Sequence, residues 1–237
     1  MDKQRLQALE LEYERQDHWG YQTDPYELRK YDQTMDLVPP GHYGRVLEIG
    51  CSEGAFTRRL ARLADDVLGL DIVALALERA SLACAGLANV RFRQFDLDGE
   101  TLDERFDLIF CAEVLYYVRW TRLRPVTRKI AGWLRPGGYL IAVHVKAEVA
   151  AGWQFGPKGA ERTHRLFERP GIRHLCDRDE GRYVLSLFQR VEDVPPSLWR
   201  ESIETFQDFA HPAVAAHALQ RGLARLGYER HGPEDEE

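Results

Sequence analysis

Between residues 46 and 145 the chain alternates short apolar runs with amphipathic segments, and several runs end on glycine or aspartate. The runs at 46–49, 67–70, 90–95, 106–111 and 139–145 have strand length. The segments at 54–64, 73–85 and 121–134 carry helical spacing, with Phe56, Leu60 and Leu63 on one stripe. The unbroken apolar run at 106–111 suits a strand buried on both faces. Such an order predicts an α/β fold, a parallel sheet with helices on both faces.

That unit leaves roughly forty residues at each end of the 237. Leu6, Leu9 and Tyr13 share a face of a helix predicted over 4–15. Asp24 and Pro25 are the N-cap and first residue of a second helix, which Pro39-Pro40-Gly41 stops. Beyond 146 the spacing predicts a loop at 150–158, a helix at 159–169, a bridge or strand at 172–176 and a strand at 182–191. Two amphipathic helices follow, one with Trp199, Ile203, Phe206 and Ala210, the other with Leu219, Leu223 and Leu226. The expected division is a helical cap at 1–43, a core at 44–192 and a helical extension at 193–237 with an acidic tip.

Composition narrows the function. With 32 basic against 38 acidic residues the net charge is −6, which disfavours nucleic acid as a partner. No apolar run is long enough to span a membrane, and the first twenty residues are too polar for a signal peptide. Cys51, Cys84, Cys111 and Cys176 form no CxxC pair. The expectation is therefore a cytoplasmic protein with reduced thiols and no metal. Asp177, Asp179 and Glu180 read as a solvated turn. The amphipathic C-terminal helices make a homodimer a reasonable expectation.

The strongest motif runs Val46-Leu47-Glu48-Ile49-Gly50-Cys51-Ser52-Glu53-Gly54 and joins a strand directly to a helix. Glycines there let backbone approach a ligand closely. Asp71 ends the next strand, where a carboxylate can take both ribose hydroxyls, and Asp96 ends the third. A dinucleotide fingerprint would read GxGxxG, whereas this loop reads GxxxG with Glu48 just before it. An acid there repels phosphate and suits an ammonium. The charge logic favours S-adenosylmethionine over a nicotinamide dinucleotide.

At this point the chain resembles the class I S-adenosylmethionine-dependent methyltransferases. The matching residues are LEIGCSEG (47–54), GLDI (69–72), QFDL (94–97), FDLIFCAEVLYYV (106–118) and LRPGGYLI (134–141), in family order. Ser52 stands where the family pattern usually has Gly. AEVLYYV, the N-terminal aromatic stretch and GPKGAE are similar to the NodS-like group, rhizobial N-methyltransferases acting on an amino sugar. The resemblance implies a Rossmann-like, mostly parallel seven-stranded sheet with one antiparallel strand. It implies Glu48 on the methionine amino group, Gly50 and Gly54 along methionine and ribose, and Asp71 on the ribose hydroxyls. Ile72 and Leu97 would lie against adenine and Asp96 on its amino group, with Cys51 a packing residue of the loop. The product would be S-adenosylhomocysteine.

For the acceptor side several readings stay open. Glu113 suits an acceptor hydroxyl, a cofactor contact or a base. Tyr116 and Tyr117 suit cation–π contact or packing, and His144 suits a base near neutral pH or a structural role. Trp19, Tyr21 and Tyr26 suit a lid over the acceptor or packing against the sheet edge. Tyr26 and Lys30 form a YxxxK pattern, read as chance because it precedes the glycine loop. The expected reaction is methyl transfer to a small polar acceptor, N-methylation of an amino sugar first. O-methylation is the alternative, and a macromolecular acceptor or a non-catalytic binder comes behind it. AEVL (112–115) replaces the NPPY-type tetrad that serves adenine or glutamine nitrogens.

Overall fold

The computed structural model describes residues 3–146 and 159–191, all within one unit, Met1–Glu192. Seven strands form one sheet: β1 Tyr43–Ile49, β2 Ala64–Asp71, β3 Val90–Gln94, β4 Phe106–Ala112, β5 Leu134–Val145, β6 Ile172–Asp179 and β7 Tyr183–Arg190. Their order across the sheet is β3-β2-β1-β4-β5-β7-β6. The β1–β2, β2–β3, β1–β4 and β4–β5 pairs are parallel, and β7 runs antiparallel to both β5 and β6. This is the Rossmann-like arrangement of the class I methyltransferases. The chain winds outward from β1 through β2 to β3, then crosses back to β4 on the other side of β1. The crevice at that reversal is where open α/β sheets bind ligands.

Alternation along each strand splits the core in two. Leu47, Ile49, Leu68, Ile109 and Leu140 pack with Leu123, Val126 and Ile130 of α5 (Trp120–Gly132). Val46, Val67, Leu108, Phe110 and Ile141 pack on the other face with Phe56, Leu60 and the flanking Tyr31 and Met35 of α2 (Pro25–Asp36). With both faces covered, the central strands read as continuous apolar runs. The outer strand β3 is largely exposed and carries Arg91 and Arg93, charges that blunt an open edge.

Several expectations shift by local chemistry. The helix expected over 54–64 contracts to one turn, α3 (Thr57–Leu60), because Asn89 Nδ2 donates to the carbonyls of Ala61 and Ala64, both at 2.8 Å, and turns the chain into β2. The Pro136-Gly137-Gly138 segment is an irregularity inside β5, marked by a register shift against β4 and Gly137 at φ 81°. The bridge or strand expected at 172–176 is the strand β6, which runs on to Asp179. The helix expected at 159–169 is α6 (Gly159–His164) followed by a tighter 3₁₀ turn at Arg165–Phe167. The loop at 150–158 and the two C-terminal helices lie outside the described residues.

The N-terminal segment folds as two helices on the core. Asp24 caps α2 by accepting from Tyr26 N–H at 2.8 Å, with Pro25 opening the helix. α1 (Lys3–Glu12) buries Leu9, and Tyr13 just beyond it, against Val73 and Ala76 of the sheet-to-α4 junction, α4 being Ala74–Ala83.

Candidate functional site

The carboxyl ends of β1, β2 and β4 lie level, since Ile49 pairs with Leu70 and with Cys111. Gly50, Asp71 and Glu113 therefore emerge side by side. They open on a cavity of about 630 Å³ of atom-free space, walled also by Ser52, Ile72, Leu97, Val114 and Tyr117. Leu9, Tyr13, Trp19 and Tyr21 close it from the N-terminal side, so the segment 1–43 supplies one wall.

The glycine loop is built by backbone geometry. Gly50 and Gly54 sit at φ 80° and 79°, conformations that favour glycine. A Cβ at Gly54 would stand 3.2 Å from Ala80 Cα, so its absence lets α4 pack closely. Ser52 holds the same left-handed region at φ 48° without being glycine. Two bonds fix it: its N–H donates to Asp71 Oδ2 at 2.9 Å, and its Oγ accepts from the Tyr13 hydroxyl at 3.0 Å. Asp71 Oδ1 accepts from Val73 N–H at 3.0 Å. Burial raises the Asp71 pKa, and the backbone N–H groups of Val73 and Ser52 oppose it. Each carboxylate oxygen has a second lone pair, and Asp71 is part of the cavity wall. Next to it Ile72, Leu97 and Phe95 give an apolar surface. A carboxylate beside an apolar slot fits a nucleoside diol and base, and among the described residues no basic side chain lines the cavity to hold a phosphate.

Other cofactor candidates lie around this wall. Glu48 is buried beneath the loop and accepts from Thr57 Oγ1 at 2.5 Å; burial pushes its carboxyl up to about 8. Cys51 is buried in the loop, and Gly54 stands behind it. Neither these nor Glu48 wall the cavity. Asp96 lines an adjoining recess with Leu97, Asp98, Val114, Tyr117 and Arg119.

The acceptor-side candidates separate. Glu113, Tyr117, Trp19 and Tyr21 wall the cavity. Tyr116 is buried below, in edge contact with His144 at 6.0 Å between centroids. Tyr26 lies farther out, its ring 5.9 Å from that of Tyr183 and 4.2 Å from the Arg182 guanidinium. His144 does not reach the cavity as a base. It is fully buried, and its Nε2 accepts the N–H groups of Val114 and Leu115 at 3.3 and 3.1 Å. Its Nδ1 therefore carries the proton and donates to His164 Nε2 at 2.9 Å. His164 Nδ1 then donates to Ser186 Oγ at 2.7 Å, and Ser186 to Asp177 at 2.5 Å. Burial holds His144 well below its ordinary pKa and His164 down to about 3. The pair is neutral and fixed in one tautomer, a prop under the loop that follows Glu113.

Sequence reasoning read the pattern that Lys30 forms with Tyr26 as chance, and the structure gives the lysine a place in the site. It is buried in α2, with Nζ 2.8 Å from Glu27 Oε2 and 3.1 Å from Glu113 Oε1. Burial works to discharge it, and Glu113 and Glu27 outweigh that and hold it above its ordinary value. The i, i+4 pair Tyr26–Lys30 was the signal: the ammonium lies 5.5 Å from the Tyr26 ring centroid. Asp177, Asp179 and Glu180 take separate partners, His174, Lys146 and Arg178. Among the described residues no set of three His, Cys, Asp or Glu side chains is placed to hold a metal ion, and no helix is long and apolar enough to cross a membrane.

The sequence profile of the family described as Nodulation protein S (NodS) matches residues 2–178. Nodulation protein S of Bradyrhizobium diazoefficiens is 32% identical over 176 residues, 72% of this chain and 84% of the relative. Nodulation protein S of Rhizobium tropici is 31% identical over 137 residues, and the match spans 57% of this chain and 58% of the relative. The crystal structure of N-methyltransferase NodS from Bradyrhizobium japonicum WM9 in complex with S-adenosyl-L-homocysteine has a TM-score of 0.72 to this chain at 27% identity. That match covers 78% of this chain and 98% of that one.

Proposed function

The chain belongs to the Nodulation protein S family, and on that premise we propose that this S-adenosylmethionine-dependent methyltransferase methylates the amino nitrogen of an amino sugar. The observation that carries the reading is the placing of Asp71 and Glu113 on one cavity, each at the end of its strand beside Gly50. One carboxylate suits the nucleoside of the cofactor and the other the acceptor.

Asp71 takes the ribose hydroxyls, Ile72 and Leu97 flank adenine, and Asp96 accepts from its amino group. Gly50 and Gly54 shape the loop along the methionine chain, with Cys51 packed inside it. Glu48 reaches the methionine ammonium through water. The cofactor supplies a methyl group on a sulfonium centre: as the nitrogen–carbon bond forms, the carbon–sulfur bond breaks and its pair leaves with neutral S-adenosylhomocysteine. The protein's part is alignment and charge. Glu113 accepts from an amine N–H and so turns the nitrogen lone pair towards the methyl group, and water receives the surplus proton. Trp19, Tyr21 and Tyr117 exclude solvent and offer ring faces to the cationic groups.

Nitrogen is favoured over oxygen in that His144, the histidine expected as a base, spends both ring nitrogens on the protein. A hydroxyl acceptor needs a base to remove its proton, whereas a neutral amine brings its own lone pair. The cytoplasm is the compartment that suits the four free cysteines. A homodimer formed through the C-terminal helices remains part of the proposal, on residues outside those described. The test is transfer of labelled methyl from S-adenosylmethionine to glucosamine and to N-acetylglucosamine. Label on the free amine alone supports the reading, and equal labelling of both sugars moves the chemistry to oxygen.

A further inference from the structure

Glu113 holds φ 51°, a left-handed conformation that a non-glycine side chain rarely adopts. Its surroundings force that geometry. Its own N–H donates to Val143 O at 2.8 Å, and its Oε2 accepts from Val145 N–H at 3.1 Å. The next two N–H groups are held by His144. Strain maintained by so many contacts marks a residue whose placement matters to function. The last contact comes from a distant part of the chain: Lys30 of α2 reaches Glu113 Oε1 at 3.1 Å while also gripping Glu27. Tyr26 and Tyr183 stand 5.5 and 5.9 Å from the same ammonium, so the cation is caged by two rings and two acids.

A buried ion trio is a weak device for stability, because apolar side chains of the same volume do as well. This one stands against the cavity wall and acts on the one acid there that faces the acceptor. Two carboxyl groups share one ammonium behind that wall. We propose that Lys30 is a positioning residue for methyl transfer. It fixes the Glu113 carboxylate in the orientation that meets the acceptor amine. Glu113 walls the cavity with acceptor capacity to spare, since a carboxylate accepts about four hydrogen bonds and Lys30 and Val145 use two. The inference rests on the amine-acceptor reading, and it explains why a YxxxK pattern precedes the glycine loop: α2 delivers the lysine from the cap into the site.

The experiment compares wild type, Lys30→Met and Lys30→Arg as full chains. It measures S-adenosylhomocysteine affinity by calorimetry and the kcat and KM for labelled-methyl transfer to glucosamine. Misplacement of a reacting group costs about a hundredfold in rate. Lys30→Met is expected to lose about that much in kcat, with cofactor affinity within about threefold, and Lys30→Arg to recover part of it by restoring the cation. A urea double-mutant cycle of Lys30→Met with Glu113→Gln gives a readout free of turnover, in which a coupled pair deviates from additivity. Additive variants, or a Lys30→Met enzyme with wild-type kcat, overturn the role of Lys30 and leave the acceptor reading standing. A wild type that methylates no amine overturns the acceptor reading itself, and the inference with it.

Discussion

At the scale of single residues, the acid at the end of β2 does most to define the site. Asp71 is tied by Ser52 and Val73 N–H groups, so removing its carboxylate strands two donors and, on the proposed function, deletes the ribose contacts together. Hydrogen bonds to a charged group contribute roughly 1.5–3 kcal/mol. Asp71→Ala is therefore expected to weaken S-adenosylhomocysteine binding about tenfold to a hundredfold, read by calorimetry; unchanged affinity removes the ribose assignment. Glu48 makes a different prediction. With its carboxyl near 8, it is mostly protonated at neutral pH before the cofactor arrives, and an ammonium nearby favours the charged form. Binding should then release about one proton near pH 7, fading above about pH 9. Calorimetry in buffers of different ionisation enthalpy counts that proton, and a count of zero at pH 7 separates Glu48 from the ammonium.

At the scale of elements, the glycine loop and α1 behave as one closure. The Tyr13 hydroxyl donates to Ser52 Oγ, while Arg79 bridges Tyr13 O and Glu53, and Glu53 accepts from Asp17 N–H. Ser52, where the wider family pattern has glycine, tolerates φ 48° because it is bonded on both sides. Ser52→Gly relieves the strained backbone and cuts the latch. The expected outcome is an unchanged or higher melting temperature with S-adenosylhomocysteine leaving several-fold faster in stopped flow. Tyr13→Phe should speed release equally, and the double variant no further. Release unaffected in both singles rejects the latch. The sheet was largely legible in the sequence, because strands buried on both faces announce themselves as apolar runs closed by Gly50, Asp71 and Glu113. The short α3 was not, because Asn89, 28 residues after Ala61, ends it. Nor was the placing of Lys30 or His144. Their partners lie on other elements, 83 residues from Lys30 to Glu113 and 20 from His144 to His164, and local spacing, which shows Lys30 only as a neighbour of Tyr26, does not name those partners.

At the scale of the whole molecule, buried titratable groups set how stability follows pH. His144 and His164 are neutral in the fold and held below the ordinary 6.5. The unfolded chain therefore binds more protons than the native one between about pH 3 and 6.5, and stability falls as pH falls through that window. Glu48 acts in the opposite sense. Its folded pKa of about 8 exceeds the ordinary 4.5, so the native chain binds the extra proton and stability falls as pH rises from about 4.5 to 8. Asp71 and Glu27, both raised by burial, add to that second limb. Asp66, Glu104 and Asp177 are lowered, so their losses fall below the ordinary carboxylate range. Each differential proton is worth about 1.4 kcal/mol per pH unit; above about pH 6.5 the histidines drop out and Glu48 still counts, while below it the two histidines work against Glu48, Asp71 and Glu27. Urea unfolding of the ligand-free chain should therefore show stability lost from about pH 6.5 to 8, and again at acid pH once the raised carboxyls are protonated in the folded and unfolded chain alike, which leaves the histidine limb. Saturating S-adenosylhomocysteine should flatten the alkaline limb, because an ammonium beside Glu48 lets it ionise within the fold. His164→Gln should shrink the acid limb. A curve level from about pH 6.5 to 8 without ligand would mean that Glu48 does not keep its buried, neutral form.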